Sequence, residues 1–484
     1  MDIRVTKENE VYNRFDCDAG IAQEISDFFT FTVPGYKFMP AFRNGSWDGK
    51  IRLANPYKKQ LYGGLLWKLN EFARVREYDI NIENELLPRN FSIAEAKEFA
   101  SRIGLPEEYV TRDHQIDAFV HCVRYGRALL LSPTSSGKSL IIYLLAKYYE
   151  LVYGLRNLII VPSTGLVKQM TADFIEYGAH PDWIHGIMGG VSKDSDRLTT
   201  VSTWQSIVKQ PGRYFDQFGM IMVDEAHLAK AKSLTSIMEK AVNTRFRFGC
   251  TGTLDGSLTH ELVSTGLFGP VLEVIKTKEM QEKGFAARTK IKVVVLKWSD
   301  EIRRPMSKVA YADEIKWVAT HPARNKFLKN LALSLKGNVL LLFNYKEQGQ
   351  ALVDMLKASG TTRDIHFIDG SVKTDAREAI RLSINAETDS ITVASLGTTS
   401  TGISVKDFNY LIFGHPSKGR IRNLQSIGRL LRVSKHKDYA EIIDVADDLS
   451  WKNKKNHGLN HLAERIKQYE SEEHPFKIYP VDMS

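Results

Sequence analysis

Cysteine is nearly missing from this sequence: among 484 residues there are only Cys17, Cys122 and Cys250. An odd, widely spaced set builds no disulfide framework, and no histidine or cysteine pair stands at zinc spacing around His227. Long apolar runs are missing too. Stretches such as Ala128 to Leu131, Leu158 to Val161 and Val339 to Phe343 fall far short of the ~20 residues that cross a bilayer, so no membrane partner is expected. The opening residues, Met1 through Glu8, lack the basic-then-apolar order of a secretory signal. Together with the cysteine usage this leads us to expect a reduced, cytosolic setting. There is no short-period repeat and no low-complexity tract. With 43% apolar, 10% aromatic and 25% charged residues, wholesale disorder, collagen-like structure and coiled coil are excluded as well.

What is present is a basic, domain-rich chain. The 66 Lys and Arg against 57 Asp and Glu leave a net charge of +9, which suits a polyanionic partner, although many basic enzymes bind no nucleic acid. The length predicts about three domains at roughly 150 residues each. Residues 1–85 are aromatic and basic, with turn signals at Pro34-Gly35, Asn44-Gly45 and Asp48-Gly49 between short alternating runs, and read as a small α+β domain. A helical connector is expected over 86–110. From there short apolar runs alternate with amphipathic stretches, which is the pattern of a parallel sheet covered on both faces. The pattern occurs once over 111–285 (Ala128 to Leu131, Leu158 to Val161, Met220 to Val223, Phe246 to Cys250) and again over 286–450 (Val339 to Phe343, Ile365 to Ile368, Ile391 to Ala394, Tyr410 to Phe413, Ile442 to Val445). The fold class is therefore α/β, with two parallel-sheet domains in tandem behind the α+β domain. Residues 451–484 read as a helical tail, with Leu459, Leu462, Ile466 and Tyr469 on one helix face.

Ser132, Pro133, Thr134, Ser135, Ser136, Gly137, Lys138 and Ser139 lie between the strand ending at Leu131 and a helix that carries Ile141, Leu144, Leu145 and Tyr148. Strand, loop and helix in that order form a phosphate cradle. Backbone amides at the helix start face an anion, Lys138 can neutralise β- and γ-phosphate oxygens, and the Ser139 hydroxyl can ligand Mg2+. Gly137 supplies the positive φ needed where backbone meets phosphate. Ser132 stands where a first glycine is usual, and a plain polar turn would also account for the stretch by itself. Asp224 and Glu225 follow directly on the strand Met220 to Val223. At the carboxyl end of a parallel strand they would face the phosphate loop, Asp224 holding magnesium through water and Glu225 deprotonating the attacking water. An acidic pair could also merely cap a following helix.

With Ala226 and His227 that pair resembles the Asp-Glu-Ala-His box of superfamily 2 helicases, and further motifs follow in the family's order. Arg112 and Gln115 resemble the glutamine motif that reads adenine. Val161, Pro162, Ser163 and Gln169 resemble motif Ia, and Ser202, Thr203, Trp204 and Gln205 motif Ib. Thr251, Gly252 and Thr253 resemble motif III, and Phe343 and Asn344 open motif IV. Thr401, Gly402 and Ile403 resemble motif V, with Ser404 where relatives often carry an acid. Gln425, Gly428, Arg429 and Arg432 match motif VI at its full spacing. Phe42, Arg43 and Trp47 through Arg52, with Ser202 to Pro211 and Ser400 to Val405, are similar to the phage recombination helicases of the UvsW family.

The resemblance implies two RecA-like motor domains, ATP and Mg2+ as cofactors, and ATP-driven remodelling of branched or forked DNA in recombination, replication and repair, in the host cytosol if a phage encodes the chain. It implies catalytic roles for Lys138, Asp224, Glu225, Gln425, Arg429 and Arg432. Nucleotide contacts fall to Arg112, Gln115, residues 133 to 139 and Gly402, and metal contacts to Ser139 and Asp224. Coupling of hydrolysis to movement falls to His227, Thr251, Gly252 and Thr253, and DNA contacts to Ser163, Thr203, Trp204, Gln205, Asn344 and Thr401. Recombination or single-strand-binding proteins are the expected protein partners, and the motor is expected to work as a monomer. An RNA helicase, or a nucleotide-controlled nucleic-acid-binding protein without processive movement, stays open as an alternative.

Two further stretches bear on binding. Tyr36, Phe38, Phe42 and Trp47 interleave with Lys37, Arg43, Lys50 and Arg52, so aromatics can stack on bases while cations meet phosphate. Arg43, Trp47 and Lys50 are the DNA-contact candidates here, while Phe38 and Phe42 read as core of the small domain. From Lys418 to Lys437 no acidic residue occurs, which suits a phosphate-tracking face or a merely solvated one.

Overall fold

The computed structural model describes residues 2–133, 135–227, 231–252, 258–372, 374–397, 408–415 and 439–483. Thr134, Thr253, Thr401, Gly402, Gln425, Arg429, Arg432 and the stretch 418–437 lie outside the described residues. The expected fold class is borne out: an α+β domain precedes two sheets of seven parallel strands. No helix among the described residues is long and apolar enough to cross a membrane. The chain divides into two compact units, Met1–Ser132 with Gly137–Val274, and Pro133–Ser136 with Ile275–Ser484.

In the first unit the amino-terminal sheet runs Ala54–Asn55, Gln60–Tyr62, Tyr12–Asp16, Ile3–Lys7, Ile80–Ile82. Its alternating inward residues Ile3, Val5, Phe15 and Leu61 pack on Ile25, Phe29, Leu69 and Phe72 from two amphipathic helices, Ala19–Phe28 and Leu66–Val75. A two-stranded ribbon, Thr30–Thr32 with Lys50–Arg52, carries a long excursion between its strands. That excursion corrects the core reading of Phe38, which is 77% exposed. Phe42 is half-buried and meets Tyr36 edge-on with centroids 4.6 Å apart, outside the domain's core. The core is already filled by the sheet and helix residues, so Tyr36 and Phe42 pack on each other and Phe38 faces solvent.

This small domain is joined to the first parallel sheet by polar and backbone contacts. The Glu10 amide donates to Val242 O at 3.0 Å, and the Arg127 Nη2 donates to Glu10 O at 2.6 Å. Burial draws the Arg127 guanidinium below its usual pKa, with Glu10 acting against that. Gly64 sits so close that a Cβ there would fall 2.1 Å from Thr265 O and 2.7 Å from both Gly266 O and Gly269 N. Those atoms are backbone and cannot rotate away. Gly64→Ala is therefore expected to lower stability by about 1 to 3 kcal/mol through overpacking, seen as a lower calorimetric melting temperature and faster proteolytic release of the small domain. Wild-type melting would mean that the two parts are not held at this point.

The first parallel sheet runs Ile184–Ile187, Thr199–Thr203, Asn157–Val161, Met220–Val223, Phe246–Thr251, Arg127–Leu131, Val271–Glu273. Leu158 to Val161 and Met220 to Val223 are wholly buried, as their unbroken apolar runs predict for strands covered on both faces. Ser92 caps helix Ile93–Arg102, its Oγ accepting from the Glu95 amide at 3.2 Å while Glu95 Oε2 accepts from the Ser92 amide at 2.6 Å. Ala96 and Ala100 of this helix join the core of the first parallel-sheet domain beside Phe119 and Tyr148. The connector is thus a packed part of that domain.

In the second unit the order is Asp364–Ile368, Ser390–Ser395, Val339–Phe343, Tyr410–Phe413, Tyr439–Asp448, Arg288–Trp298, Phe476–Met483. Two of these strands were not expected. Arg288–Trp298 carries the apolar run Val293 to Leu296, but Lys290, Lys292 and Lys297 interleave with the buried Ile291 and flank that run. The tail forms its helix, His457–Ser471, but the residues after it are not helical. Phe476–Met483 adds a parallel edge strand beside Arg288–Trp298. Pro480 is tolerated there because an edge strand need not donate on its open side.

Candidate active site

The site gathers at the carboxyl ends of strands Arg127–Leu131, Phe246–Thr251 and Met220–Val223, where loops leave a parallel sheet. The Ser132 amide donates to Thr251 O at 2.8 Å, and the Ala226 amide to Cys250 O at 2.9 Å, so the first, second and third of these exits are tied side by side. The loop turns on Ser135 (φ 70°) and Gly137 (φ 81°), and the Ser136 Oγ donates to Pro133 O at 2.7 Å. Helix Lys138–Tyr153 begins at once, its buried Leu140, Ile141, Leu144 and Leu145 holding it on the sheet.

Lys138 and Glu225 meet here, Nζ to Oε1, at 3.0 Å. Burial alone would pull the Lys138 ammonium down, but the carboxylates of Glu225 and Asp224 outweigh it and hold its pKa above the usual value. Burial raises the Asp224 carboxyl to about 6, with Lys138 acting against that. Asp224 Oδ1 accepts the Glu225 amide at 2.9 Å, and Glu225 itself sits at φ 49°. A non-glycine residue held in the left-handed region carries strain of the kind that collects at working sites.

His227 Nδ1 lies 2.5 Å from Thr251 Oγ1 and 3.4 Å from Glu225 Oε2. The acidic pair and the Thr251 segment are thereby linked through one imidazole. A Cβ on Gly252 would come within 3.8 Å of Lys138 Nζ. Gln115 reaches the loop: its Nε2 donates to Gly137 O at 3.3 Å and its Oε1 accepts from the Arg112 amide at 2.9 Å. A Cβ on Gly137 would fall 2.1 Å from that same Nε2. Cys250 is fully buried and burial pushes its thiol up, so it is inert core.

The structure therefore brings together Arg112, Gln115, Gly137, Lys138, Ser139, Asp224, Glu225, His227, Thr251 and Gly252. Ser163 and Thr203 cap helices at the ends of neighbouring strands of the same sheet, and Gln205 beside them is exposed. Thr203 is buried and Trp204 packs partly into the core, so of the motif Ib residues Gln205 is the one turned to solvent. Asn344, in the second unit, is exposed and its Nδ2 lies 3.4 Å from His415 Nε2. Arg43 and Lys50 are exposed. Trp47 is half-buried, its indole N–H donating to Lys50 O at 2.8 Å. Sequence reasoning missed Tyr177, whose Oη lies 2.8 Å from Ser139 Oγ. No spacing in the sequence could have found it, because the two residues sit on different helices.

Comparison with known proteins places the chain among helicases. Residues 2–83 match the family model described as DNA helicase UvsW, N-terminal. Residues 108–256 match the type III restriction enzyme, res subunit, model, and residues 323–434 the helicase conserved C-terminal domain. The chain is 33% identical over an alignment of 509 positions, gaps included, to the ATP-dependent DNA helicase uvsW of Enterobacteria phage T4, covering 100% of both chains. The crystal structure of T4 UvsW superposes with a TM-score of 0.53 at 32% identity, again over 100% of both chains. An ATP-dependent type ISP restriction-modification enzyme bound to DNA, 15% identical with a TM-score of 0.59 over 78% of this chain and 32% of that one, shares the fold.

Proposed function

The chain belongs to the UvsW family of ATP-dependent DNA helicases, and from that premise we propose that it directs ATP hydrolysis to remodelling branched or forked DNA in recombination, replication and repair. In this reading Lys138 neutralises phosphate oxygens, and Glu225 takes the proton of the water that attacks the γ-phosphorus as the bond to the β-phosphate oxygen breaks. Gln115 and Arg112 hold the adenine side of the nucleotide. Arg429 and Arg432, with Gln425, serve the γ-phosphate from the second motor domain, and Gly402 and Thr401 complete motif V there. His227 carries the state of Glu225 to Thr251, and with Gly252 and Thr253 couples hydrolysis to DNA contact through Ser163, Thr203, Trp204, Gln205 and Asn344.

A magnesium ion fits the donors present. The Ser139 hydroxyl and the buried Asp224 carboxylate offer hard oxygen ligands with negative charge. Held there, the ion would supply positive charge against the phosphates of the nucleotide.

The observation that carries branch recognition is the excursion of the amino-terminal domain. Lys37, Phe38, Arg43 and Lys50 are all exposed on a domain fixed to the first motor sheet. An exposed ring among cations suits a base stacked beside its phosphates, and each stacked base is worth about 1 to 3 kcal/mol. Arg43→Ala with Lys50→Ala, and separately Phe38→Ala, are expected to cut the ratio of affinities for forked over linear duplex about tenfold at one fixed salt concentration. Both variants should keep some DNA-stimulated ATP turnover. An unchanged ratio in folded variants would move recognition elsewhere, first to the Lys418 to Lys437 stretch. Turnover stimulated by RNA above forked DNA would favour an RNA motor instead.

A further inference from the structure

A basic turn follows strand Tyr439–Asp448 of the second sheet, and no helicase motif accounts for it. From Trp451 to His457 the chain reads Trp, Lys, Asn, Lys, Lys, Asn, His, without an acid. Lys452, Asn453, Lys454 and Lys455 are all exposed. Two hydrogen bonds close the turn, the Trp451 amide donating to Lys454 O and the Lys454 amide to Trp451 O, each at 3.1 Å. Its first central residue, Lys452, holds φ 53°. Two-residue turns ordinarily place glycine, asparagine or aspartate in that left-handed region, so a lysine there is strained. Folding alone would favour glycine at 452.

The turn is fastened to a second basic segment. Helix Asp300–Met306 follows strand Arg288–Trp298, which runs parallel beside Tyr439–Asp448. Lys454 Nζ donates to Ser307 O at 2.6 Å, and Arg303 Nε donates to Ser450 O at 2.7 Å. Arg304 and Lys308 are exposed beside them. Asp300 takes up Arg303 at 3.1 Å, but among the described residues no carboxylate stands within ion-pair distance of Arg304, Lys308, Lys452 or Lys455. Arg303 and Arg304 suit the carboxyl end of their own helix. The lysines have no such reason: they precede the amino end of helix His457–Ser471, where positive charge is disfavoured. Glu314 already occupies that end, its Oε2 accepting the His457 amide at 3.0 Å and its Oε1 the Gly458 amide at 2.7 Å. An anion met here is met by the lysines.

Tyr311 adds a ring to the patch. It is 49% exposed and meets His457 edge-on with centroids 5.4 Å apart. The patch also shares an edge with a residue already read as a DNA contact. Asn344 leaves the carboxyl end of Val339–Phe343, two strands from Tyr439–Asp448 and three from Arg288–Trp298 in the same parallel sheet. Neighbouring strands lie about 4.8 Å apart, which puts the patch about 10 to 15 Å along that edge from Asn344.

We propose that the turn at Lys452 to Lys455, with Arg304, Lys308 and Tyr311, is a further DNA contact that carries the strand-exit row beyond Asn344. The cations meet backbone phosphates, and the Tyr311 ring meets a base or sugar. An exposed ring among unpaired cations favours nucleic acid over an acidic protein segment. The proposal rests on the chain acting on DNA and is independent of where branches are recognised.

The test is equilibrium binding of the full chain to a labelled single-stranded oligonucleotide, a linear duplex and a fork, each over a series of salt concentrations. Lys452→Gly with Lys455→Gln is expected to bind all three about tenfold or more weakly at low salt, with the log–log salt slope shallower by about one per lysine. Lys452→Gly alone should melt no lower than wild type, because glycine takes that φ freely. Lys452→Gln keeps the strained turn and loses the charge, and should weaken binding as much as Lys452→Gly does. Tyr311→Ala should weaken the single-stranded complex about fivefold with the slope unchanged; no loss would remove the ring from the contact. Unchanged affinity and slope in the folded double variant would overturn the proposal and leave the turn to an acidic protein partner. A loss in Lys452→Gly that Lys452→Gln does not share would make the effect one of turn shape and would also overturn it. If the wild type holds forked and linear duplex equally while the double variant still weakens and flattens, the branch reading fails and this contact stands.

Discussion

Glu225→Gln is expected to bind magnesium ATP about as tightly as wild type and to turn it over about 100- to 10,000-fold more slowly, the usual range for losing a positioned general base. Lys138→Ala is expected to lose both binding and turnover. The difference follows from where each side chain stands. Both are in the buried corner, joined at 3.0 Å, but only Lys138 brings a positive charge to the loop. Glutamine keeps the shape and a hydrogen-bonding oxygen at position 225 while losing the basicity. It also removes the carboxylate that competes with phosphate for Lys138, so nucleotide affinity should hold or rise slightly. The measurement is a pair: equilibrium binding of a fluorescent ATP analogue, and single-turnover hydrolysis on saturating DNA. Parallel loss of binding in both variants would show that Glu225 builds the pocket and is not the base. Turnover within about threefold of wild type in Glu225→Gln would remove it from the chemistry altogether.

The corner around Lys138 was legible because its parts are local. A phosphate loop needs a strand, a tight turn and a helix start in one short stretch, and Met220 to Val223 delivers Asp224 and Glu225 at its own end. The apolar strands could be read for the same reason. Other features depend on what distant residues meet. Thr199–Thr203 reads as a polar segment, yet every residue in it is buried in the first motor sheet, where Thr199 Oγ1 accepts from Asn157 Nδ2 at 3.3 Å. Arg247 interrupts an apolar strand and is fully buried. Its charge is met by the carbonyls of Thr244 at 3.1 Å and Met238 at 2.9 Å, and burial followed by neighbouring Arg127 lowers its pKa to about 9. Gly64 looks like any turn glycine until the 265–269 backbone is placed against it. Phe38 misled for the opposite reason: its type says core, but a small domain with Phe15, Phe29 and Phe72 already inside has no room for it.

The largest stability effect is expected at a buried ion pair of this unreadable kind. Arg465, on the carboxyl-terminal helix, and Asp444, in strand Tyr439–Asp448, are 1% and 0% exposed. Arg465 Nε donates to Asp444 Oδ2 and its Nη2 to Asp444 Oδ1, both at 2.8 Å, and the Tyr469 hydroxyl donates to Oδ2 at 2.8 Å. The geometry is bidentate, with a third donor on the same carboxylate. Arg465→Leu leaves Asp444 buried with only the phenol, a loss of about 3 to 5 kcal/mol. Because a domain of this size loses about 2 to 4 °C per kcal/mol, the second motor domain should melt about 10 °C lower. Converting all three partners together, Arg465→Leu with Asp444→Leu and Tyr469→Phe, is expected to recover much of that loss, since no charge is then stranded. Calorimetry on the three chains distinguishes the causes. If the triple variant melts no higher than Arg465→Leu, the helix is held by the shape of these side chains; if Arg465→Leu melts as wild type, the ion pair contributes nothing and the helix rests on Leu462 and its apolar face alone.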